Sequence, residues 1–384
     1  MSVLPPPDEA GEAHSRRVAA HIREEISRTG GWISFARYME LALYAPGLGY
    51  YAAGAAKLGP EGDFVTAPEI SRLFGRTLAR QVAQVLERCG GAVLELGAGS
   101  GRLAEDLLQA LEALDRLPEA YLILEVSPTL RERQARRLAR LPPRLRARVR
   151  WLEVLPTGFR GAVIGNEVLD ALPVHLVAWR THGLFERGVA VEGEAFVWCE
   201  RPLSHPELRR AAEAIPAPAD YLSEISLAVP ALIKTLGELL EQGILLFLDY
   251  GFPAAEYYHP QRATGTLMCH YRHRAHDDPF LWPGLQDITA HVDFTATARA
   301  AREAGLEVLG YGSQAHFLLN CGLLELLAAV PAEDAARYLP LAAEAHKLLS
   351  PAEMGELFKV LALGRGLSAP LLGFVAGDRS HTLA

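Results

Sequence analysis

Lysine is nearly absent from this chain. Only Lys57, Lys234, Lys347 and Lys359 occur among 38 basic residues, so arginine carries most of the positive charge. That bias points to a GC-rich genome and says nothing of function. Cysteine is also scarce. Cys89, Cys199, Cys269 and Cys321 are scattered without C-x-x-C spacing, which fits a reducing compartment and argues against structural zinc. No stretch approaches the roughly eighteen apolar residues of a membrane helix. Long runs of one charge sign are missing too, and the net charge is −8, which argues against nucleic acid as the main partner. No internal repeat is present. The start, M-S-V-L-P-P-P-D-E-A-G-E, is acidic and proline-rich, unlike a signal or transit peptide. The expectation is a cytoplasmic protein with residues 1–12 as a disordered tail. Nothing in the sequence fixes the oligomeric state.

Half of the 384 residues are hydrophobic, enough for one large domain or two modest ones. The most telling segment is A-V-L-E-L-G-A-G-S-G-R-L, residues 92–103. An apolar strand runs into Gly97, Gly99 and Gly101, and a helix follows from Arg102. Glycine tolerates positive φ and lets a ligand lie against the backbone. The following helix offers free N–H groups and the positive end of its dipole. The dinucleotide fingerprint G-x-G-x-x-G would put its third glycine where Arg102 stands. The pattern here is E-x-G-x-G-x-G, with a carboxylate, Glu95, inside the strand. A carboxylate suits a ligand with a positive end, such as the ammonium and sulfonium of S-adenosylmethionine. The next strand, Tyr121 to Val126, carries Glu125 near its end. That residue lies roughly twenty positions past the loop, where a βαβ unit puts a carboxylate against a ribose.

Strands and helices alternate from residue 92 to 166, which makes a mostly parallel sheet with helices on both faces. Ahead of it the pattern gives helices over 15–28, 34–44 and 71–88, with an ordered, turn-rich loop over 45–68. Residues 175–200 read as short strands, a β insertion. A helix over 221–241 leads to the apolar strand Ile244 to Leu248, which ends in Asp249-Tyr250-Gly251. A long polar loop, 252–292, has one short strand, 265–269. A helix over 293–304 and a strand over 306–311 follow. The remainder reads as helices at 322–330, 333–348 and 351–360, with a short strand near 371–375.

Methyl transfer needs an oriented acceptor and sometimes a group that takes a proton. Such groups belong at the C-terminal ends of the strands. Asn166, Glu167 and Asp170 cluster where the fourth strand ends. Two carboxylates there could grip a guanidinium through bidentate hydrogen bonds. Helix capping by Asn166, with acids in a first helical turn, explains the same residues equally well. Asp249 is a second candidate for the cleft, or else a turn-forming aspartate. His259, His270, His273, His276 and His291 crowd the late loop with several aspartates, but their spacing matches no standard zinc pattern. No metal is expected. Nine arginines between Arg131 and Arg150 read as a solvated helix face.

These motifs together resemble the MidA family of methyltransferases, which includes a mitochondrial complex I assembly factor that methylates arginine on a core subunit. The resemblance covers roughly residues 32–376. It is carried by S-F-A-R-Y-M-E-L-A-L-Y, P-G-L-G-Y-Y, G-D-F-V-T-A-P-E-I-S, E-L-G-A-G-S-G-R-L, E-V-S-P-T-L, G-N-E-V-L-D-A-L-P-V-H, D-Y-G, D-I-T-A-H-V-D-F, A-H-F-L-L-N-C-G and M-G-E-L-F-K-V-L-A-L. It implies a class I, Rossmann-like methyltransferase fold. It also implies S-adenosyl-L-methionine held by Glu95, Gly97, Gly99, Gly101 and Glu125, with Asn166 on the cofactor side. Asp63, Thr66 and Glu69 would line or cover the cleft. Glu167 and Asp170 would orient an arginine, with Asp249 or His291 assisting proton loss. Two departures stand out: Ala67 replaces a usual serine, and Val168-Leu169 replaces usual aromatic residues.

The expected organisation is a helical and loop cover over 13–88, a methyltransferase core over 89–320 with an insertion at about 171–240, and a C-terminal helical extension over 321–384. The expected partner is a protein substrate such as a respiratory-complex subunit. A small-molecule methyltransferase and a cofactor-binding assembly chaperone without turnover stay open as alternatives.

Overall fold

The run Ile244 to Leu248 is entirely buried and lies inside a strand that is sheathed on both sides. In this computed structural model the described residues are 4–53, 66–203, 205–367 and 370–384. They form two units. One comprises Met1–Phe64, Asp170–Ala231 and Ala254–His291; the other comprises Val65–Leu169, Leu232–Pro253 and Val292–Ala384.

The second unit holds the glycine loop. Its principal strands are β1 (Ala92–Leu96), β2 (Tyr121–Leu124), β3 (Val149–Leu152), β4 (Phe159–Asn166), β5 (Leu240–Phe252), β6 (Glu307–Ser313) and β7 (Phe358–Arg365). They line up as β6-β7-β5-β4-β1-β2-β3. Strands β1 to β5 are parallel, and β7 runs antiparallel to both β5 and β6. Helices α1 (Arg72–Cys89), α2 (Arg102–Ala113), α3 (Pro128–Leu138) and α4 (Phe294–Glu303) accompany the sheet. This is the class I methyltransferase arrangement, as expected. Val82 and Val85 of α1 and Leu107 and Leu111 of α2 join Val93, Ile123, Ile164 and Leu246 in one core. Each such side chain contributes about 1.5–3 kcal/mol when fully buried. The helices start where the sequence supplies caps. Ser71 Oγ accepts from Leu73 N at 3.1 Å, and Ser127 Oγ from Leu130 N at 3.4 Å.

Strand β7 corrects the expected C-terminal helical extension. Residues 351–357 form turns and 358–365 a strand, where a helix over 351–360 was expected. A short apolar run fits a buried strand and a buried helix equally well, and F-K-V-L-A-L-G-R is buried on both faces. Residues 372–374 form a 3-10 turn rather than a strand. The helix Gln314–Asn320 had no expected counterpart.

The first unit is built on an antiparallel sheet. Its path is Ile33–Ser34, Gly183–Glu192, His175–Arg180 and Tyr221–Ile225, with Ala195–Pro202 paired to Gly183–Glu192. Val18, Ile22 and Ile26 of the helix Glu9–Arg28 share a core with Phe35, Tyr38, Leu176 and Val189. Three corrections fall here. Helix Glu9–Arg28 begins inside the expected tail because Asp8 caps it, accepting from Gly11 N at 2.8 Å. Tyr221–Ile225 is a strand, and the helix after it, Ala228–Leu239, starts only past Ser226. The late loop carries a three-stranded sheet, Met268–Tyr271, Arg274–His276 and Asp287–Thr289. The β insertion therefore shares a unit with the N-terminal helices and the late loop, whereas helix α1 belongs with the core rather than with the cover.

Candidate active site

The three loop glycines all take positive φ: Gly97 at 61°, Gly99 at 51° and Gly101 at 81°. L-residues with a Cβ rarely adopt this region. A Cβ on Gly101 would also lie 3.2 Å from Gln134 Cα. Gly101 is the N-cap of α2 and supplies no side-chain bond. The first-turn N–H groups of α2 are thus left by their cap for an outside acceptor.

Glu125 follows the end of β2. Its Oε1 accepts from Ser127 N at 2.9 Å and its Oε2 from Gln134 Nε2 at 2.9 Å. The same Gln134 amide donates to Gly99 O at 3.0 Å, and Gln134 Oε1 accepts from Trp151 Nε1 at 2.9 Å. One glutamine therefore ties the acid, the glycine loop and β3 together. Burial raises the Glu125 pKa, and its hydrogen bonds from Ser127 and Gln134 oppose the shift. The neighbouring Val126 is 69% exposed, and Val154, just past β3, is 75% exposed. Apolar side chains left bare at two adjacent strand ends suit a flat ring.

Glu95 is buried beneath the loop. Its Oε2 accepts from Tyr121 Oη at 2.7 Å, and burial pushes its pKa up to about 7. Glu69, in the short helix Ala67–Ile70, accepts a hydrogen bond from Ser100 Oγ of the loop. Thr66 is the N-cap of that helix without a side-chain bond, and Ala67 is wholly buried. Asp63 lies outside the described residues. Arg137 also reaches the loop, donating to Ser100 O at 3.1 Å while pairing with Glu105.

At the end of β4 no helix begins, so helix capping does not explain Asn166 and Glu167. Asn166 Nδ2 donates to Glu167 Oε1 at 3.0 Å, and Asn166 Oδ1 is buried with no hydrogen-bond partner among the described residues. Glu167 has φ of 53°, a strained value for a residue with a side chain. Its N–H donates to Leu248 O at 2.9 Å. Asp249 Oδ2 accepts from Val168 N at 3.1 Å and Leu169 N at 2.8 Å, and Oδ1 from Tyr250 N at 3.0 Å. Asp249 is thereby the anchor of this turn, not a side chain reaching into the cleft. A Cβ on Gly97 would stand 3.6 Å from Val168 Cγ2, so the turn abuts the glycine loop. Leu169 is buried, which leaves Val168 as the departure that borders the site.

Glu167 belongs to the sheet unit; Asp170 and His291 belong to the other. There Asp170 O accepts from Ala290 N at 3.0 Å, and His291 N donates to Thr266 Oγ1 at 3.0 Å. Among the described residues, no three His, Cys, Asp or Glu side chains are grouped to hold a metal. Gln134, Tyr121, Trp151 and Ser100 escaped the sequence reading. Gln134 stood as one polar residue among arginines, and only its complete burial singles it out.

Residues 77–312 match the family described as "Putative S-adenosyl-L-methionine-dependent methyltransferase". The chain belongs to this family. It is an S-adenosyl-L-methionine-dependent methyltransferase. A mitochondrial protein arginine methyltransferase homolog of Drosophila melanogaster is 31% identical, over 97% of this chain and 93% of its own. The mitochondrial protein arginine methyltransferase of Mus musculus is 30% identical, over 89% and 83%. A crystal structure of a Burkholderia thailandensis protein bound to S-adenosyl-homocysteine has 52% identity and a TM-score of 0.96, covering 99% of this chain and 100% of that one.

The residues fit the cofactor. The glycines open the backbone, Glu125 can accept from ribose hydroxyls, Val126 offers an apolar face, and Asn166 Oδ1 has an acceptor to give. S-adenosyl-L-methionine, when bound, supplies an electrophilic methyl group on sulfonium. Among the described residues, no helix is long and apolar enough to cross a membrane.

Proposed function

We propose that this methyltransferase acts on a protein and that its acceptor is an arginine side chain. The observation that carries the reading is Glu167. Its backbone is held in a left-handed turn at the end of β4, against the glycine loop, by Leu248 O and by the Asp249 carboxylate on the next two N–H groups. Strain kept in place by surrounding bonds is characteristic of functional positions. A guanidinium is recognised by a planar pair of acceptors, and a carboxylate supplies one. Glu167 would orient the guanidinium. Glu95, Gly97, Gly99, Gly101, Glu125 and Asn166 would hold the cofactor, and Thr66 and Glu69 would close over the loop. The names of the curated relatives support arginine. A cytoplasmic site of action and a respiratory-complex subunit as substrate complete the proposal.

The test is mass spectrometry of methylated peptides from cells with and without this chain, followed by transfer to the identified peptide by the purified protein. Loss of an arginine methyl mark together with the chain, restored in vitro, is the expected result. Methylation of a small molecule alone, or an unchanged methyl-arginine inventory, would overturn it.

A further inference from the structure

Helix α1 carries Arg72, Arg76 and Arg80 at spacings of four, so the three guanidinium groups share one face over about 12 Å. They line a groove of about 290 Å³ together with Gln109 and Ala113 of α2, Leu114 at its C-cap and Leu326 of the helix Leu323–Ala328. Its shape has a cause. The helices touch at Gly75, where a Cβ would stand 2.7 Å from Asp106 Cβ, and small residues on α2 keep the space open beyond that point. Asp106, the one acid on the lining, is buried and already engaged: Arg102 Nε lies 2.9 Å from its Oδ2 and Arg72 Nε 3.8 Å from its Oδ1. Arg80 leans on Cys321 O and Gly322 O and pairs with Glu325, itself 75% exposed and so weakly held. Arg76 is exposed and makes no ion pair or hydrogen bond to a described residue.

We propose that this groove docks an acidic segment of a partner protein, with Arg76 as its central contact and apolar side chains of the segment seated on Ala113, Leu114 and Leu326. Charge complementarity argues for it. The groove is locally positive on a chain whose net charge is −8. Leu114 is 41% exposed, which provides the apolar contact a bare anion does not need. Nucleic acid fits less well. No aromatic ring lines the groove to stack a base, and three arginines are few for a phosphate backbone facing an acidic protein. The proposal is independent of the methyl-donor site and of the acceptor's identity.

The test uses the full chain and a fluorescein-labelled peptide of alternating glutamate and leucine, read by fluorescence anisotropy. Unlabelled peptide, inorganic phosphate and a single-stranded oligonucleotide serve as competitors. Binding is expected to weaken by about tenfold in Arg76→Glu, where a charge-assisted contact becomes a like-charge one. Ala113→Glu, which removes no hydrogen bond, should act in the same direction. Binding of S-adenosyl-homocysteine by calorimetry should be unchanged in both variants, which separates this site from the cofactor site and reports folding. No peptide binding, binding at the wild-type level by both variants, or displacement by phosphate as effective as by peptide would overturn the proposal. Tighter binding of the oligonucleotide would transfer the groove to nucleic acid and overturn it as well.

Discussion

The Asp249 carboxylate and the backbone of Leu169 meet at 2.8 Å, and the same oxygen also takes the N–H of Val168. These two bonds cross from β5 to the turn that follows β4. They bear directly on Glu167, which precedes Val168 and is itself bonded through its N–H to Leu248 O. A carboxylate serving three backbone donors is a positioning group. In Asp249→Asn one oxygen becomes a donor that faces another N–H, so stability should fall by about 1–3 kcal/mol. Methyl transfer should fall with it, by a lower turnover number at an unshifted pH optimum. A displaced acid limb in the pH–rate profile with full stability would instead make Asp249 a proton acceptor.

Glu167→Gln tests the acceptor side. An amide offers one acceptor and two donors that oppose a guanidinium. Affinity for S-adenosyl-homocysteine should stay within about twofold and transfer should drop by at least about tenfold, a cost in line with losing a charge-assisted bond. Glu167→Gly separates geometry from chemistry. Glycine relieves the φ of 53°, so the variant should unfold at a temperature equal to or above wild type while transferring no better than Glu167→Gln. Wild-type transfer by Glu167→Gln would remove the carboxylate from the mechanism.

The glycine loop and its two neighbouring acids are legible in the sequence as a candidate site. A strand, three glycines and an acid on the next strand constrain φ, ligand charge and topology together, and the structure sets them at neighbouring strand ends. The role of Gln134 was not legible, and that of Asp249 only as one of two readings, because a side chain's partners are set by tertiary contact rather than by spacing. Asp249 reads from sequence either as a cleft acid or as a turn-forming aspartate, and its bonds to the N–H groups of Val168 and Leu169 favour the turn. Strand β7 was hidden for another reason. A run buried on both faces has no alternation, and F-K-V-L-A-L carries helical spacing as well as strand-forming residues.

Glu125 and Gln134 should act as one device. Glu125→Ala removes a charged acceptor and should weaken S-adenosyl-homocysteine by roughly ten- to a hundredfold. Gln134→Ala leaves the acid in place but frees it from Gly99 and Trp151. Its binding loss should be smaller, and the double variant should lose less than the product of the two single losses, since neighbours in one network are not additive. Independent effects measured by calorimetry would show that Gln134 is a core residue without influence on the ligand.

Glu95 gives a pH dependence whose sign differs from that of a surface acid. Burial is the first cause of its rise from 4.5 to about 7; the Tyr121 hydrogen bond opposes it and the Glu125 charge adds to it. Between those two values the folded chain holds a proton that the unfolded chain has released. Folding stability from this group therefore falls as pH rises from about 4.5 to about 7 and stays at its lower level above that. The full effect is on the order of 3 kcal/mol, before relaxation of the site reduces it. Glu95→Gln keeps the shape and removes the charge. Without ligand, its thermal unfolding should match wild type near pH 4.5 and exceed it at pH 8. Ligand binding should show the reverse pattern. A sulfonium or ammonium near Glu95 favours the ionised carboxylate, so wild-type affinity for S-adenosyl-L-methionine should rise from pH 6 to pH 8 while Glu95→Gln stays flat. Parallel stability curves for the two proteins across that range would mean that Glu95 does not titrate there, and an equal pH response in binding would place the cation away from it.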